Sequence, residues 1–164
     1  VLKVDQSGGA PILNVFGCKI TTYRKLAEHA LDRIVPFFPG TPPAWTAGVA
    51  LPGGDFPVRG VKTLIAQLQA DYPFLTDRWA TRLIRAYGTE AAAMLGDAKG
   101  PDDLGPDFGA TLTGREVEWL MQKEYARTAQ DIAWRRSKLG LRLTPDQLTT
   151  LDDWMQKNAT MAAA

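Results

Sequence analysis

Ile12-Leu13-Asn14-Val15-Phe16-Gly17-Cys18-Lys19-Ile20-Thr21-Thr22-Tyr23-Arg24 is the stretch that decides how this chain begins to fold. A β-prone apolar run, residues 12–16, passes through one glycine into Tyr23, Leu26, Ala27, Ala30, Leu31 and Ile34, which recur at helical spacing. Thr21 or Thr22 is available as the N-cap. A helix start leaves backbone N–H groups unpaired, and the helix dipole adds positive potential there. A strand that turns through a glycine into a helix is therefore a cradle for an anion. Spacing alone also fits an ordinary strand-to-helix connection with a surface lysine, Lys19, so the identity of the residues has to decide.

Upstream, residues 1–5 form a second β-like patch, and Ser7-Gly8-Gly9 supplies the turn between the two. A lone hairpin is marginal in water, so it is expected to be the edge of a larger sheet. Because the cradle lies so near Val1, and the chain does not begin with Met, the sequence is expected to be a late piece of a longer protein.

Downstream of Pro36, residues 37–57 are rich in proline and glycine and read as a linker carrying Trp45. Helical patterns follow. Val61, Leu64, Ile65 and Leu68 make one stripe. Thr76 caps a second, with Trp79, Ala80, Leu83, Ile84 and Tyr87, which Gly88 ends. Residues 90–95 form a short alanine-rich piece closed by Gly96. Thr113-Gly114-Arg115-Glu116 has the capping-box pattern ahead of Val117, Leu120, Met121, Tyr125, Thr128 and Ile132, predicting one long helix that stops before Gly140. Thr144-Pro145 opens the last helix, with Leu148, Leu151, Trp154 and Met155. The fold class expected is mainly α: a helical C-terminal domain over 58–164, preceded by a short β arm and a helix over 1–36.

Composition narrows the function classes. The 164 residues are 45% hydrophobic, and 19 basic side chains nearly cancel 18 acidic ones. That balance gives no field to draw the chain onto nucleic acid, which argues against a basic helix built on Arg135, Arg136 and Lys138. One cysteine, Cys18, excludes an internal disulfide and a cysteine-based zinc site, and no metal is implied. There is no apolar run of about 18 residues and no basic, apolar leader pattern. His29, the only histidine, falls on the side of its helix opposite Tyr23, Ala27, Ala30 and Ile34 and reads as a surface residue. Asp131 and Arg135, spaced i,i+4, read as an ion pair that sets geometry, and the tryptophans read as core or interface.

Phe16-Gly17-Cys18-Lys19-Ile20-Thr21-Thr22-Tyr23-Arg24-Lys25 closely resembles the Gly-Gly-Lys-Leu/Ile-Thr-Thr-Tyr-Arg segment of FAD-dependent glycerol-3-phosphate dehydrogenases and the related alpha-glycerophosphate oxidases. A second match lies downstream. Glu116-Val117-Glu118-Trp119-Leu120 and then residues 124–141, from Glu124-Tyr125-Ala126-Arg127 to Arg135-Arg136-Ser137-Lys138-Leu139-Gly140-Leu141, look like that family's C-terminal helical domain.

The resemblance implies FAD as cofactor, with Gly17, Cys18, Ile20, Thr21 and Thr22 contacting it chiefly through backbone, and Lys19 facing substrate or flavin. Cys18 departs from the family's usual glycine, and a side chain there crowds the cofactor or shifts the turn. The implied partners are a preceding N-terminal FAD-binding domain, glycerol 3-phosphate, quinone as electron acceptor and a second copy in a homodimer. The implied location is cytoplasmic, peripheral on the membrane. Alcohol oxidation needs a base for the hydroxyl proton, and this chain offers none near the cradle. It also lacks a strand followed by G-x-G-x-x-G to hold the FAD pyrophosphate, so the chain alone is expected to hold FAD poorly and to be inactive. The alternative is a helical interaction, dimerisation or membrane-docking module of a flavoprotein, without catalysis of its own.

Overall fold

The computed structural model describes residues 1–17 and 19–158. The chain divides into two compact units, Val1–Val49 and Ala50–Ala164.

In the first unit, β1 (Leu2–Asp5) and β2 (Ile12–Val15) pair antiparallel, with Leu2 opposite Val15 and Asp5 opposite Ile12. The Asp5 carboxylate accepts from both the backbone N–H and the hydroxyl of Ser7, which fixes the turn. A 3₁₀ turn (Ile20–Thr22) then leads into α1 (Tyr23–Ile34), which packs on both strands and stops as expected ahead of Pro36. The unit buries little. Its one buried charged side chain among the described residues is Glu28, which accepts from the Thr46 hydroxyl at 2.6 Å and pairs with Arg24 at 2.7 Å and Lys25 at 3.1 Å. The Thr46 hydrogen bond first, and then Lys25, hold the Glu28 carboxyl below the usual range.

The second unit is helical: α2 (Val61–Asp71), α3 (Asp77–Tyr87), α4 (Glu90–Leu95), α5 (Gly114–Lys123) and α6 (Pro145–Asn158). α2 packs on α3, α3 on α4, and α4 on α5. One core joins them, centred on Leu83, Leu95, Leu104, Leu112, Val117, Leu120, Ile132, Leu151 and Met155. Trp79, Trp119, Trp134 and Trp154 are partly buried against it, whereas Trp45 is exposed in the first unit.

The helix ends follow local chemistry. The Thr76 side chain accepts from Trp79 N–H, as its position predicts. Tyr72 donates its hydroxyl to the carbonyls of Gly96 at 2.6 Å and Ala92 at 3.2 Å, satisfying the C-terminal end of α4. Gly88, at φ +55°, turns the chain from α3 into α4 where it meets Gly53. Thr89 N–H donates to Gly53 C=O at 3.0 Å, and a Cβ at either glycine would run into backbone beside the other.

Two expectations change. The long helix over 117–132 breaks after Lys123: Tyr125 takes φ +58°, and the chain re-forms as a π-helical turn, Asp131–Arg136. The Asp131 carboxylate competes with helix by accepting from Arg127 N–H and Thr128 N–H, both at 3.0 Å, and from the Thr128 hydroxyl. The capping box also moves. Thr113 precedes α5 without a side-chain cap, because Glu116 turns inward instead. Reciprocal pairs form instead at Thr144 and Gln147, where Gln147 N–H donates to the Thr144 hydroxyl and Thr144 N–H to the Gln147 side chain, and at Thr128 and Asp131, where Asp131 N–H donates to the Thr128 hydroxyl and Thr128 N–H to the Asp131 carboxylate.

Candidate functional site

Gly17 sits at φ +66°, the left-handed conformation the strand-to-helix turn requires, and a Cβ built there meets nothing within 4 Å. Lys19 is extended, and its carbonyl accepts from both the N–H and the hydroxyl of Thr22 at 3.0 and 2.8 Å. Thr22 thus stands at the N-cap of α1 with its hydroxyl turned back onto the loop rather than onto the helix. The N–H groups of Lys19 and Ile20 have no acceptor among the described residues.

Gly17, Lys19, Ile20, Thr21 and Thr22 are all exposed, and there is open space at the Gly17 Cβ position. Cys18 lies outside the described residues. This donor set fits the edge of an anionic ring: free backbone N–H groups, a helix start and an exposed ammonium within one turn. Ile20 is 86% exposed, and its neighbours in the chain Phe16 and Tyr23 are exposed as well, as is Ile12 at the far end of β2. His29 is exposed on α1, as its spacing predicts.

Beside α1, the same unit holds a cavity of about 360 Å³, lined by Glu28, Leu31, Asp32, Thr41, Trp45 and Thr46 among others. The spacing of Arg24 and Lys25 to Glu28 was readable as helix-surface pairing, but the Thr46 hydroxyl, 18 residues away, carries no sequence signal.

In the second unit, Arg82 on α3 pairs bidentately with Glu116 on α5, both contacts at 2.6 Å. Tyr87 donates its hydroxyl to the same carboxylate at 2.7 Å. Arg82 also donates to the Thr111 hydroxyl at 2.8 Å and the Thr111 carbonyl at 2.7 Å. Ala110 and Thr111 both have positive φ, +52° and +67°, so the guanidinium clamps a strained loop. Burial pulls the Arg82 guanidinium down, but the hydrogen bonds and charge of Glu116 outweigh it and hold it above its ordinary value. Burial first, and then the Glu116 charge, push the Tyr87 hydroxyl far upward, so it stays a proton donor. Sequence reasoning placed Tyr87 in the core and Glu116 at a helix cap, and had no signal that joined either to Arg82.

The arrangement defines a mainly α protein whose β arm ends in an exposed glycine turn into α1. Comparison with known proteins then gives the family: residues 44–159 match the C-terminal domain of alpha-glycerophosphate oxidase, and the chain belongs to that family. Over 92% of its length it is similar to two named enzymes. It is 43% identical to the aerobic glycerol-3-phosphate dehydrogenase of Escherichia coli and 47% identical to the glycerol-3-phosphate dehydrogenase of Pseudomonas aeruginosa. It is also 36% identical, over 99% of its length, to the D-erythritol 1-phosphate dehydrogenase of Brucella abortus. The chain spans about 30% of the length of these relatives.

Proposed function

We propose that this chain is the C-terminal portion of an FAD-dependent glycerol-3-phosphate dehydrogenase, which oxidises the secondary alcohol of glycerol 3-phosphate to dihydroxyacetone phosphate and passes electrons to quinone. The observation that carries the reading is the turn over 17–22, where two N–H groups have no acceptor among the described residues and a positive-φ glycine and an exposed lysine stand beside them. On this reading residues 1–36 complete an FAD-binding domain, 37–57 link it to the rest, and 58–164 form the helical domain. The exposed apolar side chains of Ile12, Phe16, Ile20 and Tyr23 support coverage by the rest of that FAD-binding domain.

FAD bound at the turn supplies the hydride acceptor for alcohol oxidation. The backbone at Gly17, Cys18, Ile20, Thr21 and Thr22 would hold the cofactor, and the helix start would stabilise negative charge on it. Lys19 contributes its ammonium to the substrate's negative charge and orients the carbinol. The hydroxyl proton would go to a base outside this chain. Among the described residues no helix is long and apolar enough to cross a membrane.

The test uses the longer protein that contains this chain, purified with its flavin and mixed with glycerol 3-phosphate without oxygen. Bleaching of the oxidised flavin band is expected. Bleaching by D-erythritol 1-phosphate alone would reassign the substrate, and bound flavin unmoved by either would leave the helical domain as an interaction module. Lys19→Ala is expected to lower kcat/KM by roughly tenfold or more with flavin retained. Unchanged kinetics would take Lys19 out of the site.

A further inference from the structure

A cleft of about 390 Å³ lies over the Arg82–Glu116 pair, entirely within the second unit. Its walls carry four further cations: Arg85 from α3, Arg136 and Lys138 from the end of the π-helical turn and just beyond, and Arg142. None of these four makes an ion pair among the described residues. Arg136 is aimed by its Nε donating to Glu124 C=O at 2.7 Å, and Lys138 by donating to Trp134 C=O. The side chains of Arg85 and Arg142 are exposed and make no hydrogen bond among the described residues.

The charge arithmetic favours an anion. Arg82 and Glu116 cancel, leaving four positive charges on the walls. The carboxylate of Glu124, whose field reaches Tyr87, reduces the excess to three. A chain with a net charge of +1 overall has therefore concentrated positive potential in one concave place. The floor is also fixed in advance. Glu116 is 1% exposed with its oxygens held by Arg82 and Tyr87, and Arg82 is anchored at the strained Thr111. Guanidinium groups present planar forks that match phosphate oxygens, and the volume leaves room for an organic portion against Ala86 and Leu139.

We propose that this cleft binds a small, soluble phosphorylated molecule, its phosphate held by Arg85, Arg136, Lys138 and Arg142. Every residue of the site belongs to the second unit.

The test is a calorimetric titration of the longer protein that contains this chain with pyrophosphate at low ionic strength, paired with amide chemical-shift mapping. Saturable one-to-one binding is expected, with shifts centred on Ser137, Lys138 and Leu139. Arg85→Ala and Arg142→Ala should each weaken it about tenfold, the scale of one charge-assisted contact. Neither side chain holds the fold together, so both variants should melt like the parent chain. Lys62→Ala, an exposed charge on α2, should bind as the parent does. Absence of saturation would overturn the proposal, as would shifts away from the cleft. So would equal weakening by Lys62→Ala, or binding to phosphatidic acid vesicles without binding to pyrophosphate.

Discussion

At the scale of single residues, Glu116 and Asp131 show how a carboxylate can organise a loop or a helix pair. Removing one partner of a buried ion pair strands the other charge, so Glu116→Ala should cost about 3–5 kcal/mol in denaturant unfolding. Arg82→Met/Glu116→Leu together should cost less than Glu116→Ala alone, because no charge is then left unpaired. Asp131 acts through the backbone. The Arg127 N–H first, then Thr128 and Arg135 at 2.9 Å, lower its carboxyl from 3.8 to about 2 in the folded chain. A lowered folded pKa contributes stability that is complete above the unfolded value and disappears as pH falls through the folded one. The stability gap between the parent chain and Asp131→Asn should thus be constant above about pH 5. It should then close between 3.8 and about 2 in acid titrations followed by circular dichroism.

At the scale of elements, the junction between α3 and α4 is the tightest requirement. Gly88→Ala places a Cβ at φ +55° and into the Gly53 carbonyl, so it should destabilise by at least about 2 kcal/mol in thermal or denaturant melts. Gly100→Ala is the control: its φ is −155°, a Cβ there meets nothing within 4 Å, and the change should stay within about 0.5 kcal/mol. The extent of most helices was legible because periodic apolar positions and glycine stops agree, as at Thr76 and Gly88 or residues 90–95. The break after Lys123 was not, because Val117 through Ile132 keep helical spacing while Asp131 captures the local N–H groups. Periodicity reports which side chains face the core and says little about which carbonyls the backbone reaches.

For the whole molecule, the mainly α class, the hairpin and the glycine turn were readable because each rests on local signals. The Arg82–Glu116–Tyr87 network was not, since its members lie 29 and 34 residues apart. Only the folded chain brings them together. The cationic cleft was hidden for the same reason: Arg85, Arg136 and Arg142 are ordinary surface charges until α3 and the segment after the π-helical turn face one another. The residues of the turn over 17–22 were singled out by their likeness to a family, whereas their spacing alone fits many connections.

The two-stranded arm has a practical corollary. β1 and β2 pair only with each other among the described residues, so each leaves one ladder edge open, and Ile12 and Val15 are exposed beside it. An open edge with apolar neighbours recruits any strand it meets. Produced by itself, this chain should therefore be handled as a sticky-ended piece, kept dilute or given a charged residue on the β2 edge. Its solubility then reports on four strand residues rather than on the well-packed helical core.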